Sequence, residues 1–474
     1  MNTKLLKQKI LDLAIRGKLT QQLKSDGTAR ELLEQISSKV SSSSSTLSSP
    51  RRRGSPSSSA AKTIIPLDKS EAPFEIPANW EWVRLGDVCE LISGQDFPPE
   101  KYNAEKKGLP YITGASNFVN NHVILNRWTE YPSVIAQKGD ILLVCKGSGY
   151  GNYVYADFEK AHIARQIMAI RISDKTLNAY VYNFLGSQYE HLKFQGNGLV
   201  PGIARSVVLD LTVPLPPLAE QQRIVAKIEE AFAEIDAIEK NKELLKTHIK
   251  QTRQKILNLA IHGKLVPQNK SDEPASVLLE RITRDNPHYE KLTDVPFEIP
   301  DSWEWVKLGY VGKWQSGTTP SKSNSSYYKD GTIPWLNTGD LNDGIIREIP
   351  QKVTEKALAE TSLRLNEAGS VCIAMYGATI GKIGILSMPA TTNQACCVCN
   401  NLKNFVNQMW LFYFLKNHKQ EFIEAGFGGA QPNISKEKIT ATLFPLPPLA
   451  EQKRIVNKID EIFASLDEIS LHLV

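Results

Sequence analysis

The chain is sparing with the residues that build disulfide scaffolds and metal centres: its 474 residues include six cysteines and eight histidines. Cys89, Cys145, Cys372, Cys396, Cys397 and Cys399 fall mostly in apolar, strand-like runs, a usage that suits a reducing cytoplasm rather than a disulfide framework. Cys396 and Cys399 have C-x-x-C spacing, yet no second ligand pair stands at zinc spacing, so buried strand thiols are favoured over a metal site. Long apolar runs are missing too. The opening Met-Asn-Thr-Lys-Leu-Leu-Lys-Gln-Lys-Ile-Leu puts lysines where a signal peptide needs its apolar core, and no window reads as a membrane span. A soluble cytoplasmic protein is expected. Charge of one sign is also lacking: 56 Lys+Arg against 51 Asp+Glu give a net +5, which permits nucleic-acid contact without arguing for it.

The loops that hold nucleotides are likewise absent. Gly377-Ala-Thr-Ile-Gly381-Lys382-Ile383 resembles a phosphate loop, but it has three residues between its glycines and Ile where a magnesium-binding hydroxyl belongs. Gly147-Ser-Gly-Tyr-Gly151 follows a strand with no amphipathic helix behind it to receive a pyrophosphate. Asn286-Pro287-His288-Tyr289 departs from the Asn-Pro-Pro-Tyr/Phe site of amino-methyltransferases by its His, and no glycine-rich cofactor loop accompanies it. No nucleophile with a partner histidine, no spaced acid pair and no helicase-type motif is visible. Chemistry by this chain is not expected, although catalytic groups that meet only in space leave no such trace.

What the chain has is repetition. Pro214-Leu-Pro-Pro-Leu-Ala-Glu-Gln-Gln-Arg-Ile-Val225 returns as Pro445-Leu-Pro-Pro-Leu-Ala-Glu-Gln-Lys-Arg-Ile-Val456, and Pro73-Phe-Glu-Ile-Pro-Ala-Asn-Trp-Glu-Trp-Val-Arg-Leu-Gly86 returns as Pro296-Phe-Glu-Ile-Pro-Asp-Ser-Trp-Glu-Trp-Val-Lys-Leu-Gly309. A third mark, Lys7-Gln-Lys-Ile-Leu-Asp-Leu-Ala-Ile-Arg-Gly-Lys-Leu19, returns as Arg253 to Leu265. The repeat is therefore circularly permuted: the chain opens with the tail of a unit and stops where the next tail would begin. The two ends are expected to meet.

From Leu218, apolar residues recur at steps of four and three: Ile224, Ile228, Ala231, Ile235, Ile238, Leu245, Ile249, Ile256 and Leu259, with Lys242 and Thr252 as polar breaks. Pro216 and Pro217 block helix upstream and Gly263 with Pro267 ends it, so roughly 45 residues predict one helix about 65 Å long. The seam returns as Ile455, Ile459, Ile462, Leu466, Ile469 and Leu473, and Leu6, Ile10 and Leu13 continue its register. A long helix with one apolar seam needs a partner, and the pattern predicts an antiparallel, pseudo-twofold pair.

The expected fold class is α+β: two mixed α/β domains joined by a long antiparallel coiled-coil pair. Its parts are a helical piece at 1–36 pairing with the carboxy-terminal helix, a Ser-rich disordered linker at 37–72, a first domain at 73–215 and a central helix at 216–283. A second domain at 284–446 and a distal helix at 447–474 complete it. Asp140-Ile-Leu-Leu-Val-Cys145 and Ser370-Val-Cys-Ile-Ala-Met375 read as strands, and the segments from Val181 and from Gln408 as buried helices. Arg51, Arg52 and Arg53 within the Ser-rich stretch read as part of a solvated linker, with phosphate contact as the alternative.

Both domains repeat a frame and vary its polar contents: Cys145 to Asn152 against Met375 to Lys382, Ala164-Arg165-Gln166 against Asn393-Gln394-Ala395, and Val200 to Arg205 against Gln431 to Lys436. Arg, Lys, Asn and Gln suit phosphates and base edges. Ordinary loop polarity is the competing reading for each residue taken singly.

Taken together, these marks resemble the specificity (S) subunits of Type I restriction–modification systems over essentially the whole chain apart from 37–70. The Pro-Leu-Pro-Pro-Leu-Ala-Glu-Gln element opening a helix twice, the Ile-Pro-x-x-Trp-Glu-Trp-Val-x-Leu-Gly element, Ser316-Gly-Thr-Thr-Pro-Ser321 and Tyr376-Gly-Ala-Thr-Ile-Gly-Lys-Ile-Gly384 carry the resemblance. The first domain departs from it at Ser93-Gly-Gln-Asp-Phe-Pro98. The resemblance implies a non-catalytic chain whose two target-recognition domains each read half of a split double-stranded DNA sequence. Its helices would set the gap and dock two methyltransferase (M) and two restriction (R) subunits, with S-adenosylmethionine, ATP and Mg on those partners and no membrane contact. Candidate DNA-binding residues are Lys146, Asn152, Arg165, Gln166, Arg205, Thr318, Thr319, Ser321, Tyr376, Lys382, Asn393, Gln394, Gln431, Asn433 and Lys436. The rivals are a self-contained DNA methyltransferase or nuclease, and a coiled-coil scaffold without DNA specificity.

Overall fold

The opening and closing marks of each repeat bracket a domain because they are partner strands. In the computed structural model, which describes residues 2–43, 64–147, 149–195, 202–285, 292, 294–426 and 433–473, Glu81–Arg84 pairs antiparallel with Thr212–Leu215. Glu304–Lys307 pairs in the same way with Leu443–Leu446. The chain divides into two compact units, Met1–Asn241 and Lys242–Val474.

The first unit holds a four-stranded sheet in the spatial order Glu90–Ser93, Ile167–Arg171, Ile141–Val144, Tyr153–Tyr155. All four residues of Ile141–Val144 are buried, because one face packs on the helical side and the other on the second sheet. That second sheet runs Trp128–Thr129, Leu109–Ile112, Lys160–Ile163, Ile135–Gln137. Helix Lys175–Ser187 closes the first core with Tyr180 and Phe184; its amino end is fixed by the Asp174 carboxylate, which accepts from the Thr176 and Leu177 amides.

The second unit repeats this plan with changes in strand number. Its main sheet runs Lys313–Ser316, Cys396–Asn400, Val371–Ala374, Ile383–Leu386 and gains a fifth strand, Gly344–Ile346, parallel to Ile383–Leu386. The smaller sheet runs Lys352–Val353, Ile333–Leu336, Thr391–Thr392. Cys396 and Cys399 lie in one strand and enter different cores, so the period of two separates the C-x-x-C thiols onto opposite faces. Burial raises the thiol of Cys399.

The helix read from the seam is continuous from Leu218 to Ile261 and belongs in part to each unit. Within the first unit Thr3–Ile15 packs antiparallel on it: Lys7 bonds Asp236 and Thr3 bonds Glu239, while Thr20 and Gln22 reach back to Glu220. Within the second unit Leu449–Leu471 does the same, with Arg253 on Asp467 at 2.6 Å and Gln268 on Glu451 at 2.5 Å. Seam residues Ile224, Ile228, Ile235, Ile249, Ile455 and Ile459 are buried, and Ile256, Ile462 and Leu466 are half-buried. Each such side chain contributes about 1.5–3 kcal/mol when fully covered. Ile238, Leu245 and Ile469 are 48%, 39% and 43% exposed. Ile238 precedes Glu239, which bonds the first residue of its unit's short partner helix, and Leu245 lies past Arg253 and its contact with Asp467, so coverage by the partner helix within each unit thins there.

Three expected boundaries move. The segment expected as linker at 37–72 begins inside a helix, Ala29–Ser43, whose Leu32 and Leu33 are buried, and Ile64 returns to the same core. The arginine triplet lies outside the described residues. The central helix expected over 216–283 stops at Ile261, and a separate helix, Ala275–Asp285, follows the Gly263 turn.

The repeated words have repeated chemistry. Trp80 Nε1 donates to buried Glu220 at 2.8 Å and Trp303 Nε1 to buried Glu451 at 3.0 Å, so the opening mark is hydrogen-bonded to the closing mark. Gln221 and Gln452 donate to the Pro216 and Pro447 carbonyls. Arg223 grips Asp26, and Arg454 grips Asp272, each through two nitrogens. Burial raises the Glu451 carboxyl, against the Trp303 and Gln268 donors that favour its charge.

Candidate nucleic-acid interface

In each unit four separate segments converge at one end of the main sheet. In the first, the Cys145 amide donates to the Gln166 carbonyl, the Ile203 amide to the Cys145 carbonyl and the Gly94 amide to the Ile167 carbonyl, at 2.7, 2.7 and 3.0 Å. In the second, Met375 donates to Ala395, Ile434 to Met375 and Gly317 to Cys396, at 2.8, 2.9 and 3.0 Å. Lys146 bridges Gly202 as Tyr376 bridges Asn433. These bonds equate positions one by one across the two copies: Gly94 with Gly317, Arg165 with Gln394, Lys146 with Tyr376, Arg205 with Lys436.

The frame is close-packed at its glycines. A Cβ on Gly94 would lie 2.0 Å from the Ala164 carbonyl oxygen, and one on Gly317 would lie 2.2 Å from that of Thr392. Only glycine lets the turn after the edge strand pass so near its neighbour. That turn then delivers the residue two positions on, Asp96 or Thr319, to the tip of the next turn.

The tip itself is a four-residue turn closed by Ile167 N–H to Ala164 in one unit and by Cys396 N–H to Asn393 in the other. Arg165 and Gln394 occupy the second position, and both are exposed. Asp96 takes the Arg165 Nε at 2.6 Å with one oxygen and the Arg165 backbone N–H at 3.0 Å with the other. The Thr319 hydroxyl donates to the Gln394 Oε1. Gln394 also faces a hollow lined by Gly317, Thr318, Pro320, Ser321 and Lys322.

Other expected residues divide into those at this edge and those turned inward. Lys146, Tyr376 and Asn433 are exposed, Gln166 is half-buried, and Arg205 begins a short helix with its Nη1 on Ser93 Oγ at 3.1 Å. Lys436 begins the corresponding helix and lies 4.0 Å from Glu437. Lys382 is half-buried beside a turn that leads into the strand Ile383–Leu386 and not into a helix. Thr318 is bonded to Ser362, and Asn393 donates to Asn337 at 3.1 Å, so both brace the frame. Ser321 pairs with Ser323. Asn152 accepts from Tyr189 and lines a different cleft, of about 760 Å³, with Lys7, Tyr182 and Glu229. Gln431 and the Asn286 to Tyr289 motif lie outside the described residues.

Several residues at the first unit's edge leave no mark in the sequence. Phe97 stacks on the buried His162 at 4.2 Å, and Tyr111 and Tyr102 extend the cluster. Arg127, Lys101 and Lys106 lie over the rings of Tyr102, Tyr131 and Trp128. His162 Nδ1 accepts from Val134 N–H at 3.2 Å, so the proton sits on Nε2 and is donated to the Gln95 carbonyl at 2.8 Å. Burial lowers the imidazole pKa and so favours the neutral ring. The turn that carries Asp96 is thus held through the Gln95 carbonyl by a histidine. In the second unit Trp335 Nε1 donates to the Thr318 carbonyl at 3.1 Å and Tyr328 packs edge-on against Trp335.

An exposed polar edge at the end of a main sheet is thus built twice, once in each unit. Among the described residues no group of three or more His, Cys, Asp or Glu is placed to hold a metal ion, and no helix is long and apolar enough to cross a membrane. The family described as Type I restriction modification DNA specificity domain matches residues 77–247 and 300–471, and the chain belongs to it. It is similar to the Type I restriction enzyme EcoAI specificity subunit of Escherichia coli, 24% identical over 98% of this chain and 90% of that one. It is also similar to the MjaVIII specificity subunit of Methanocaldococcus jannaschii, 26% identical over 82% and 87%. The fold is shared with the HsdS subunit of Thermoanaerobacter tengcongensis, at a TM-score of 0.54 and 19% identity over 85% and 94% of the two chains. A chain solved in work on complex assembly and conformational transition of the type I R-M system matches over the same shares, at a TM-score of 0.59 and 20% identity. The chain is a Type I restriction–modification specificity subunit that recognises DNA sequence.

Proposed function

We propose that this chain recognises an asymmetric, two-part DNA target, one half-sequence at each unit's edge, and carries methyltransferase and restriction subunits that do the chemistry. The observation behind this reading is that one backbone frame presents different side chains at equivalent positions, Arg165 against Gln394 and Lys146 against Tyr376. A scaffold without DNA specificity has no use for that variation. Base edges are read by side chains held in place, while phosphate contacts orient the duplex. The gap between half-sequences is a property of the helix Leu218–Ile261, which enters both units. S-adenosylmethionine, ATP and Mg bind on the partner subunits in this reading.

Sequencing of methylated adenines in the host, with and without this gene, tests it. A split motif should vanish with the gene; loss of no motif, or of an undivided one, contradicts the reading. Exchanging residues 83–213 for those of another family member should alter one half-sequence only. One added heptad within 219–261, matched in its partner helices, should change the gap and leave both half-sequences as they were. The purified chain supplied with S-adenosylmethionine, ATP and Mg should neither methylate nor cut DNA.

A further inference from the structure

We infer that Arg165 and Gln394 are the base-reading members of one device built twice, Arg165 selecting guanine and Gln394 selecting adenine, each held by a partner two residues after the edge glycine. This rests on the proposed two-part target and adds to it the residue and the base. The device is defined by geometry alone: both residues stand second in the same tight turn, and Asp96 and Thr319 occupy equivalent places in the neighbouring turn.

The chemistry of the two holders differs in a way that selects the base. Asp96 occupies the Arg165 Nε and the backbone N–H, which leaves the two terminal guanidinium nitrogens as a pair of parallel donors on a side chain 66% exposed. The guanine major-groove edge offers two adjacent acceptors, O6 and N7; adenine offers a donor and an acceptor, which two donors cannot match. A carboxylate beside the guanidinium also offsets its charge and repels phosphate, so the pair suits a neutral base edge better than the DNA backbone. In the second unit the Thr319 hydroxyl fixes the Gln394 carbonyl end, and the amide then presents one acceptor beside one donor. That pattern complements adenine N6–H and N7. Holding a long side chain in place before binding removes part of its ordering cost.

The test is methylated-site sequencing in hosts carrying the full chain and its partners, with purified variants checked for thermal unfolding. Arg165→Gln should change the preference from guanine at one position of one half-sequence, by roughly 10-fold or more, and leave the other half untouched. Arg165→Lys keeps the charge and loses the Asp96-held fork, so a phosphate contact would survive it while guanine selection drops. Asp96→Asn should blur the same position with unfolding unchanged. Gln394→Arg should act only on the other half-sequence. Uniform weakening across all sites by Arg165→Gln, or a preference unchanged by it, overturns the inference while a split wild-type motif leaves the two-part reading standing. An undivided wild-type motif instead removes that reading.

Discussion

In the first unit the tip turn is charged, with Arg165 on Asp96, and the same domain holds Arg127, Lys101 and Lys106 over aromatic faces; in the second the turn is made of amides and hydroxyls, with Gln394 on Thr319. The main-chain bonds beneath are the same in both. The difference teaches that the frame and its contents are separable, because backbone hydrogen bonds and two glycines set the turn while the exposed side chains are free to vary.

The largest expected effect bears on the shared part. Trp80→Ala and Trp303→Ala each remove a buried indole and the partner of a buried carboxylate, and each should cost its own unit about 3–5 kcal/mol. Chemical unfolding followed by hydrogen exchange in each unit measures this; equal loss in both units from one substitution would break the comparison. Next are Gly94→Ala and Gly317→Ala, expected to cost about 1–3 kcal/mol through overpacking and to abolish recognition of one half-sequence each. Competition binding with half-substituted duplexes reads the outcome, and recognition retained in both halves would show that the turn yields.

A smaller effect is expected at the helix junction. Asp26→Asn weakens a pair whose arginine is one-third exposed, so about 1 kcal/mol is expected from thermal unfolding. The Arg223 hydrogen bond holds the Asp26 carboxyl below its usual range, so this contribution is complete above the ordinary carboxylate range and fades as pH falls through the lowered folded value. The smallest effect separates the units by pH. Burial lowers the His162 pKa, so its contribution is full above the unfolded value of about 6.5 and is lost as pH falls from there toward the folded value. The Gln95 amide, which donates to the Ile163 carbonyl, should therefore lose exchange protection as pH falls through that range. The same position in the second unit is Thr391, which does not titrate, and the buried His418 lies instead at the end of helix Gln408–Asn417. Equal loosening of the two turns would contradict this.

Repetition made most of the architecture legible. The paired marks located both domains because they are partner strands, and the seam located the long helix because burial follows its period at Ile224, Ile228 and Ile235. The strand readings at Asp140 to Cys145 and Ser370 to Met375 hold as Ile141–Val144 and Val371–Ala374. The open stretch of the seam at Ile238 and Leu245 was not legible, since coverage depends on where the partner helices end. At the exposed edge, Arg165 and Gln394 are visible in the sequence as variable polar residues in a shared frame. Asp96, His162 and the ring cluster are not, because they join that edge through contacts between segments far apart in the chain. Asn152, Thr318 and Asn393 are legible in the sequence only as polar residues, and their side chains engage Tyr189, Ser362 and Asn337.

The most direct test is to transplant the device. With Thr319→Asp and Gln394→Arg introduced together, methylated-site sequencing should show guanine replacing adenine at one position of the half-sequence read by the second unit, with the other half and the gap unchanged. Methylation of the original motif at wild-type levels, or changes spread over both halves, would contradict a common frame with exchangeable readers.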